Sequence, residues 1–221
     1  MSCWEIRIAT LIGAIVVGLT PPTTTAAEQP GLAIATLETL PVKGRAPKTG
    51  YARDQFGQAW ADVNRNGCDT RNDILKRDLT AIVYKGGTRN CVVASGTLLD
   101  RYSGETINFV RGNVTSMEVQ IDHVVALSNA WQTGAFKLTA DQRKALANDP
   151  MNLFAVKGRL NSQKGDGDAA TWLPPLKNFR CAYVAQQIAV KAKYSLWVVP
   201  PEKAAMVSIL AKCPTQKLPV S

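Results

Sequence analysis

A chain of 221 residues with 26 Lys and Arg against 17 Asp and Glu can bury one core of ordinary size, and its formal charge of +9 favours a polyanionic partner. Its single histidine excludes a His-Glu-x-x-His zinc peptidase, and no Gly-x-Ser-x-Gly elbow is present for a serine hydrolase. Charge alone does not choose between an enzyme acting on nucleic acid and an exported basic protein that never meets it.

Residues 1–27 read as an export signal: Arg7, an apolar run from Ile8 to Leu19, then Pro21-Pro22 and small residues up to Ala26-Ala27. The run would cover only ~18 Å of helix against a hydrocarbon core of roughly 30 Å, which favours cleavage near Ala27 over an uncleaved anchor. After cleavage no stable membrane span is expected and the protein is secreted. Cys3 leaves with the signal, as do Glu5 and Arg7, so the net charge is unchanged.

Residues 28–50, rich in Pro, Ala, Thr and Lys, read as a loosely ordered leading segment, with one folded domain over 51–221. Phe56, Ala59 and Trp60 recur at helical spacing and predict a helix from Arg53 to Asp62. The stretch from Asp62 to Asp73 matches the oxygen spacing of a calcium loop at Asp62, Asn64, Asn66 and Asp73, with Gly67 at the sixth place. An Asp instead of a bidentate Glu at the last place, and no second such unit, leave open a plain turn bridged through Cys68. Short strands are predicted at Ala81–Tyr84, Cys91–Ala94 and Glu118–Val125, with a turn over Asp100–Gly104. Helices follow at Leu127–Thr133 and at Ala140–Asn148, the second capped by Thr139. Then come a strand at Asn152–Val156, a short helix at Arg159–Lys164 ending at Gly165, and helices at Asn178–Tyr194 and Pro201–Lys212.

Beyond the signal stand Cys68, Cys91, Cys181 and Cys213, an even number in an oxidising compartment, so two disulfides are expected. Of the three possible connectivities the local pairs, Cys68 with Cys91 and Cys181 with Cys213, are favoured. A four-cysteine zinc site has no Cys-x-x-Cys pair behind it.

The segment that carries chemistry is Ile121-Asp122-His123-Val124-Val125, followed by Asn152 29 residues after His123, Asn161 nine later and Lys164 three later. Hydrolysing a phosphodiester needs a deprotonated water on one side of phosphorus and charge neutralisation on the other. A neutral imidazole meets the first need near pH 7, and a carboxylate with an amide oxygen suits a hard cation such as Mg²⁺ or Mn²⁺. Asp122 and Asn161 are therefore the candidate metal ligands and His123 the general base. Because neighbours on a strand point to opposite faces, the Asp122-His123 pair belongs at a strand end or bulge. Lys164 shares a helix face with Asn161 and could meet the substrate phosphate or be a solvated helix-end charge. Asn152 is placed to fix the loop under His123 through backbone hydrogen bonds.

These residues resemble the ββα-metal (His-Me finger) or HNH endonuclease superfamily, with asparagine in the third position. The segment Asn152-Leu-Phe-Ala-Val-Lys-Gly-Arg-Leu-Asn161-Ser-Gln-Lys164-Gly-Asp166 is similar to the matching stretch of the HNH domain in RNA-guided CRISPR nucleases. The nearer resemblance is to secreted actinobacterial HNH-family proteins related to the C-terminal domain of Gmr-type restriction endonucleases. It covers about Tyr51 to Cys213, including Gly67-Cys-Asp-Thr-Arg-Asn-Asp73 and Asp168-Ala-Ala-Thr-Trp-Leu-Pro-Pro175. The resemblance implies an α+β domain with a ββα-metal core surrounded by helices, stapled by two disulfides. It implies that Asp122 and Asn161 bind the cation, that His123 activates water and that Asn152 supports the site. Asn161 in place of the histidine that names the motif favours magnesium or manganese over zinc or nickel.

The reaction expected is hydrolysis of DNA or RNA by a monomer, leaving a 5′-phosphate and a 3′-hydroxyl. The alternative is an exported, non-catalytic basic module that binds nucleic acid or an anionic cell-surface polymer. Arg71, Lys157, Arg159, Lys177 and Arg180 are candidate backbone clamps by position only. Trp131, Trp172 and Trp197 read as packing residues rather than base-stacking platforms.

Overall fold

A computed structural model describes Met1, residues 31–113 and residues 115–220; the signal read over 1–27, with Cys3, lies outside the described residues. The described chain is a mixture of helices and small antiparallel sheets. The helices are α1 (Ala33–Thr39), α2 (Thr70–Asp78), α3 (Leu127–Gln132), α4 (Ala140–Ala147), α5 (Gly158–Lys164), α6 (Arg180–Lys193) and α7 (Pro200–Leu210). Strands β1 (Leu79–Tyr84), β2 (Val93–Leu99) and β3 (Thr106–Val110) form one sheet, and β4 (Val119–His123) pairs with β5 (Leu153–Lys157) in a second. Among the described residues no helix is long and apolar enough to cross a membrane.

The two-stranded sheet is where the candidate site sits. Leu153 to Val156 are all buried, the continuous apolar run of a strand covered on both faces. On one side lie Ile74, Leu75, Val119, Ile121 and Ala155, and on the other Val124, Phe154, Tyr183, Val184 and Ile188. Helix α5 packs against both strands, and its first residue leaves no room for a side chain. A Cβ on Gly158 would lie 1.9 Å from the Met117 carbonyl oxygen, while the Gly158 N–H already donates to Glu118 O at 2.9 Å. Gly158→Ala must push α5 away from β4, and with it Asn161. We expect a loss of about 1–3 kcal/mol in thermal or urea unfolding, the usual cost of an overpacked site; an unchanged melting temperature would show that the backbone yields freely there.

Between β4 and β5, helix α4 is opened by a reciprocal cap: the Thr139 side chain accepts from Gln142 N–H and the Gln142 side chain accepts from Thr139 N–H. Trp131 and Trp197 are buried, and Trp172 lies edge-on against Tyr102 with ring centroids 5.1 Å apart. Both local disulfides are formed, Cys68–Cys91 and Cys181–Cys213. The second ties α6 to the turn beyond α7 across 32 residues. Replacing both Cys181 and Cys213 by serine is expected to lower stability by about 2–4 kcal/mol through the freed unfolded chain, read as a shift in urea midpoint smaller than that of the fully reduced wild-type protein, which also loses Cys68–Cys91.

Three local expectations differ from the structure. The leading segment is not loose over its described part: α1 buries Ala33 and Leu37 among α6 and α7, and the Ala33 N–H donates to Gln216 O at 2.9 Å. The helix expected over Arg53–Asp62 is only a short 3-10 turn, Arg53–Phe56, because Gly57 (φ +73°) and Trp60 (φ +57°) take left-handed conformations. Strand β3 and helix α2 lie where neither was expected. Asp69 caps α2, accepting from Asn72 N–H at 2.8 Å.

Candidate active site

Asp122 and His123 are the last two residues of β4, opposite Phe154 and Leu153 of β5. As strand neighbours they diverge. The Asp122 side chain turns toward Tyr102 and Lys164, and the His123 ring toward Trp60 and Ala147. Both nevertheless border one open cleft of about 330 Å³, shared with Asn161 of α5.

The His123 imidazole is nearly buried, 7% exposed, and its Nε2 lies 2.9 Å from the Ala147 carbonyl. A carbonyl can only accept, so Nε2 carries the hydrogen and Nδ1 keeps the lone pair. Burial, and then the positive charges of Arg53 and Lys164, drive its pKa down to about 3, so the ring is neutral at pH 7. The Trp60 ring lies nearly parallel to the imidazole, 18° between planes and 5.9 Å between centroids.

Asp122 is 4% exposed and fully engaged: Tyr102 Oη donates to Oδ2 at 2.5 Å and Lys164 Nζ to Oδ1 at 2.9 Å. Burial first, and then the Asp122 charge, raise the Tyr102 pKa well above its usual value, so the phenol remains a donor. Lys164 also donates to the His123 carbonyl at 2.8 Å, and its side chain is 0% exposed. Lys164, expected at the substrate phosphate or as a solvated helix-end charge, is the last residue of α5 before Gly165, and here it is tucked behind β4 and paired with Asp122.

Asn161 Nδ2 donates to Gln120 Oε1 at 2.8 Å, which fixes the amide and leaves Oδ1 without that neighbour. Asn152 is completely buried and pins the loop after His123. Its Oδ1 accepts from Val125 N–H at 2.8 Å, its Nδ2 donates to the Val125 and Leu146 carbonyls at 3.3 Å each, and its own carbonyl accepts from Val124 N–H at 2.8 Å. The structure thus gathers Asp122, His123 and Asn161 at one cleft, with Lys164 and Asn152 behind it.

Sequence reasoning missed several neighbours. Asp166 borders the same cleft, held by Ser128 Oγ at 3.0 Å and Lys48 Nζ at 3.2 Å, and these bonds lower its pKa. Arg53 and Tyr51 also line the cleft. Asp166 sits two places after Lys164, which was the available signal. Tyr102, Ser128 and Arg53 are distant in sequence and carried none.

A divalent cation fits this donor set on its chemistry. Asp122, Asp166 and Asn161, residues with carboxylate and carboxamide oxygens, border one cleft, and each engaged Asp122 oxygen retains a second lone pair. Among the described residues no group of three or more His, Cys, Asp or Glu is arranged to hold a metal.

In the Asp62–Asp73 loop the polar groups bond to one another: Asp62 accepts from Asn66 and Gly67 N–H at 3.1 and 2.9 Å, and Asn66 Nδ2 donates to both Asp73 carboxylate oxygens at 3.1 Å. Of the candidate clamps, Arg71 lies over the Phe109 ring, Lys157 pairs with Glu105 at 2.6 Å and Arg180 donates to Pro174 O at 2.8 Å. Arg159 and Lys177 are exposed.

Residues 69–209 match the family described as GmrSD restriction endonucleases, C-terminal domain. The chain belongs to this family. The matched GmrSD C-terminal region begins at the cap of α2 and ends within α7, so it contains β4, β5, α5 and all five site residues read from the sequence. An uncharacterized secreted protein of Arthroderma benhamiae (strain ATCC MYA-4681 / CBS 112371) is 36% identical over 208 residues, covering 92% of this chain and 97% of that one. No solved structure matches the chain.

Proposed function

We propose that the protein is a secreted, metal-dependent endonuclease of the HNH type that hydrolyses phosphodiester bonds of DNA or RNA. One observation carries this reading: Asp122, His123 and Asn161 border a single open cleft, and the imidazole has one nitrogen committed to a backbone carbonyl and the other left with its lone pair. Family membership and the basic charge of +9 agree with a nucleic-acid substrate, and the secreted relative and two disulfides agree with export.

In this reading His123 Nδ1 takes a proton from a water as its oxygen attacks phosphorus. The bond from phosphorus to the 3′-oxygen breaks, leaving a 5′-phosphate and a 3′-hydroxyl. Asn152 holds the loop after β4 so that the ring cannot swing, and the Nε2–H bond to Ala147 fixes its tautomer. Asp122 and Asn161 would hold Mg²⁺ or Mn²⁺, which when bound supplies positive charge beside the departing oxygen. Lys164 and Tyr102 fix the orientation of the Asp122 carboxylate.

Purified protein lacking residues 1–27 is expected to nick and linearise plasmid DNA when Mg²⁺ or Mn²⁺ is added, and to stop on addition of a chelator. Folded protein that binds DNA but cleaves neither DNA nor RNA in any divalent metal would replace the enzyme by a non-catalytic basic binding module.

A further inference from the structure

His123 is a wall shared by two cavities. Besides the cleft with Asp122 and Asn161, it borders a pocket of about 260 Å³ with apolar sides from Phe56, Trp60 and Leu127 and polar groups from Arg53 and Asn148. That volume is below the roughly 300–1,000 Å³ typical of drug-sized ligands, and suits a single flat ring system.

Two features set this pocket apart. Asn148 is 1% exposed; its Nδ2 donates to Lys144 O at 2.9 Å, but its Oδ1 is buried with no hydrogen-bond partner among the described residues. A buried acceptor left unsatisfied is costly, and a ligand N–H would remove that cost. Trp60 is a bulky residue at φ +57°, an unfavourable conformation kept in place because its carbonyl accepts from Thr70 N–H at 3.3 Å at the start of α2. The result is an aromatic face set beside the imidazole, at a position where the expected helix would have carried it elsewhere. Arg53, exposed on its short turn, borders both cavities and so stands where a phosphate joins what fills one to what fills the other.

We infer that this pocket receives a nucleobase adjoining the scissile phosphate, stacked against Trp60 and donating an N–H from its edge to Asn148 Oδ1. The inference rests on the nuclease reading of the neighbouring cleft and names the part of the substrate that the cleft does not hold. Stacking on an aromatic side chain is tolerant of base identity, because every base has a π face. The Asn148 acceptor adds a demand for a donor on the base edge, so the pocket contributes affinity first and base preference second.

The test is an abasic scan. Oligonucleotides, single-stranded and duplex, each carry one tetrahydrofuran residue in place of a nucleotide at successive positions around a mapped cleavage point, and kcat and KM are measured with Mn²⁺ for wild type, Trp60→Phe, Trp60→Ala and Asn148→Asp. Wild type should lose roughly 5- to 100-fold in kcat/KM at one position beside the cut, the worth of one base stacked on one aromatic ring. Trp60→Ala should show that loss on the intact oligonucleotide and no further loss on the abasic one. Trp60→Phe, with a smaller ring, should show a reduced position-specific penalty, and Asn148→Asp, which keeps an acceptor but gives up the bond to Lys144 O, should keep the penalty at lower stability. Trp60→Phe carries the test should Trp60→Ala fail to fold by circular dichroism, a penalty equal to that of wild type then counting against the pocket. Equal abasic penalties in wild type and Trp60→Ala, or a wild type that cleaves with no position-specific penalty, would overturn the pocket and leave the nuclease reading intact. Folded wild type that cleaves no oligonucleotide in any metal would overturn both.

Discussion

His123→Ala should slow plasmid cleavage by about 100- to 10,000-fold, the range over which one positioned general base acts, while leaving the fold and DNA binding in place. The reason lies in how little else the ring does. Among the described residues its one side-chain hydrogen bond is Nε2 to the Ala147 carbonyl, and Trp60 lies nearly parallel to its face. Deleting it removes the Nδ1 lone pair and opens a space between the two cavities that small molecules can enter. Added imidazole is therefore expected to restore part of the lost rate in His123→Ala and to do nothing for wild type. Melting temperature and DNA affinity in chelator separate a lost base from a lost fold. A variant that cleaves at the wild-type rate would mean that the proton goes elsewhere, and the assignment of His123 would be withdrawn.

The parts of this fold that the sequence made legible are those ruled by local periodicity and capping. Leu153 to Val156 form an unbroken apolar run, Thr139 with Gln142 writes a helix start, and Gly165 ends α5 where the pattern stops. The position of Asp122 and His123 at a strand end followed from the two-residue period of a strand. What stayed hidden depends on contacts between segments far apart in the chain. Helix α1 lies in a segment whose Pro, Ala, Thr and Lys content reads as loose, yet Ala33 and Leu37 are held because α6 and α7 offer them a hydrophobic seat. The spacing of Phe56, Ala59 and Trp60 suggests a helix that Gly57 breaks and α2 then clamps into a left-handed turn. Strand β3 has only a weak alternation, and its pairing partner β2 supplies the register that its own residues do not.

The same division explains the site. Asp122, His123, Asn152 and Asn161 could be found because their spacing is a motif. Their supports, Tyr102 beneath Asp122 and Ser128 on Asp166, come from elsewhere in the chain and are visible only once it is folded. Lys164 had the right place in the motif but not the role read from it. Helical spacing puts Asn161 and Lys164 near each other without saying which way the longer side chain turns.

Lys164→Met tests that correction, and it should be among the most destabilising single changes in the protein. The ammonium and the Asp122 carboxylate are 0% and 4% exposed and 2.9 Å apart, so removing the cation leaves a nearly buried carboxylate with Tyr102 as its remaining side-chain donor among the described residues. Breaking one side of a buried ion pair typically costs about 3–5 kcal/mol, which for a domain of this size lowers the melting temperature by roughly 6–20 °C. Methionine fills nearly the same volume, so the loss reports charge rather than a cavity. Adding Asp122→Asn to Lys164→Met removes the unpaired charge and should recover part of the stability, since a neutral amide can still accept from Tyr102. Activity should not return, because the carboxylate proposed to hold the cation is gone. The two readouts therefore part: melting temperature rises from the single to the double variant while cleavage stays absent. If Lys164→Met instead melts with wild type and only weakens substrate binding, the lysine spends its time in the cleft, and its first reading as a phosphate contact would be the correct one.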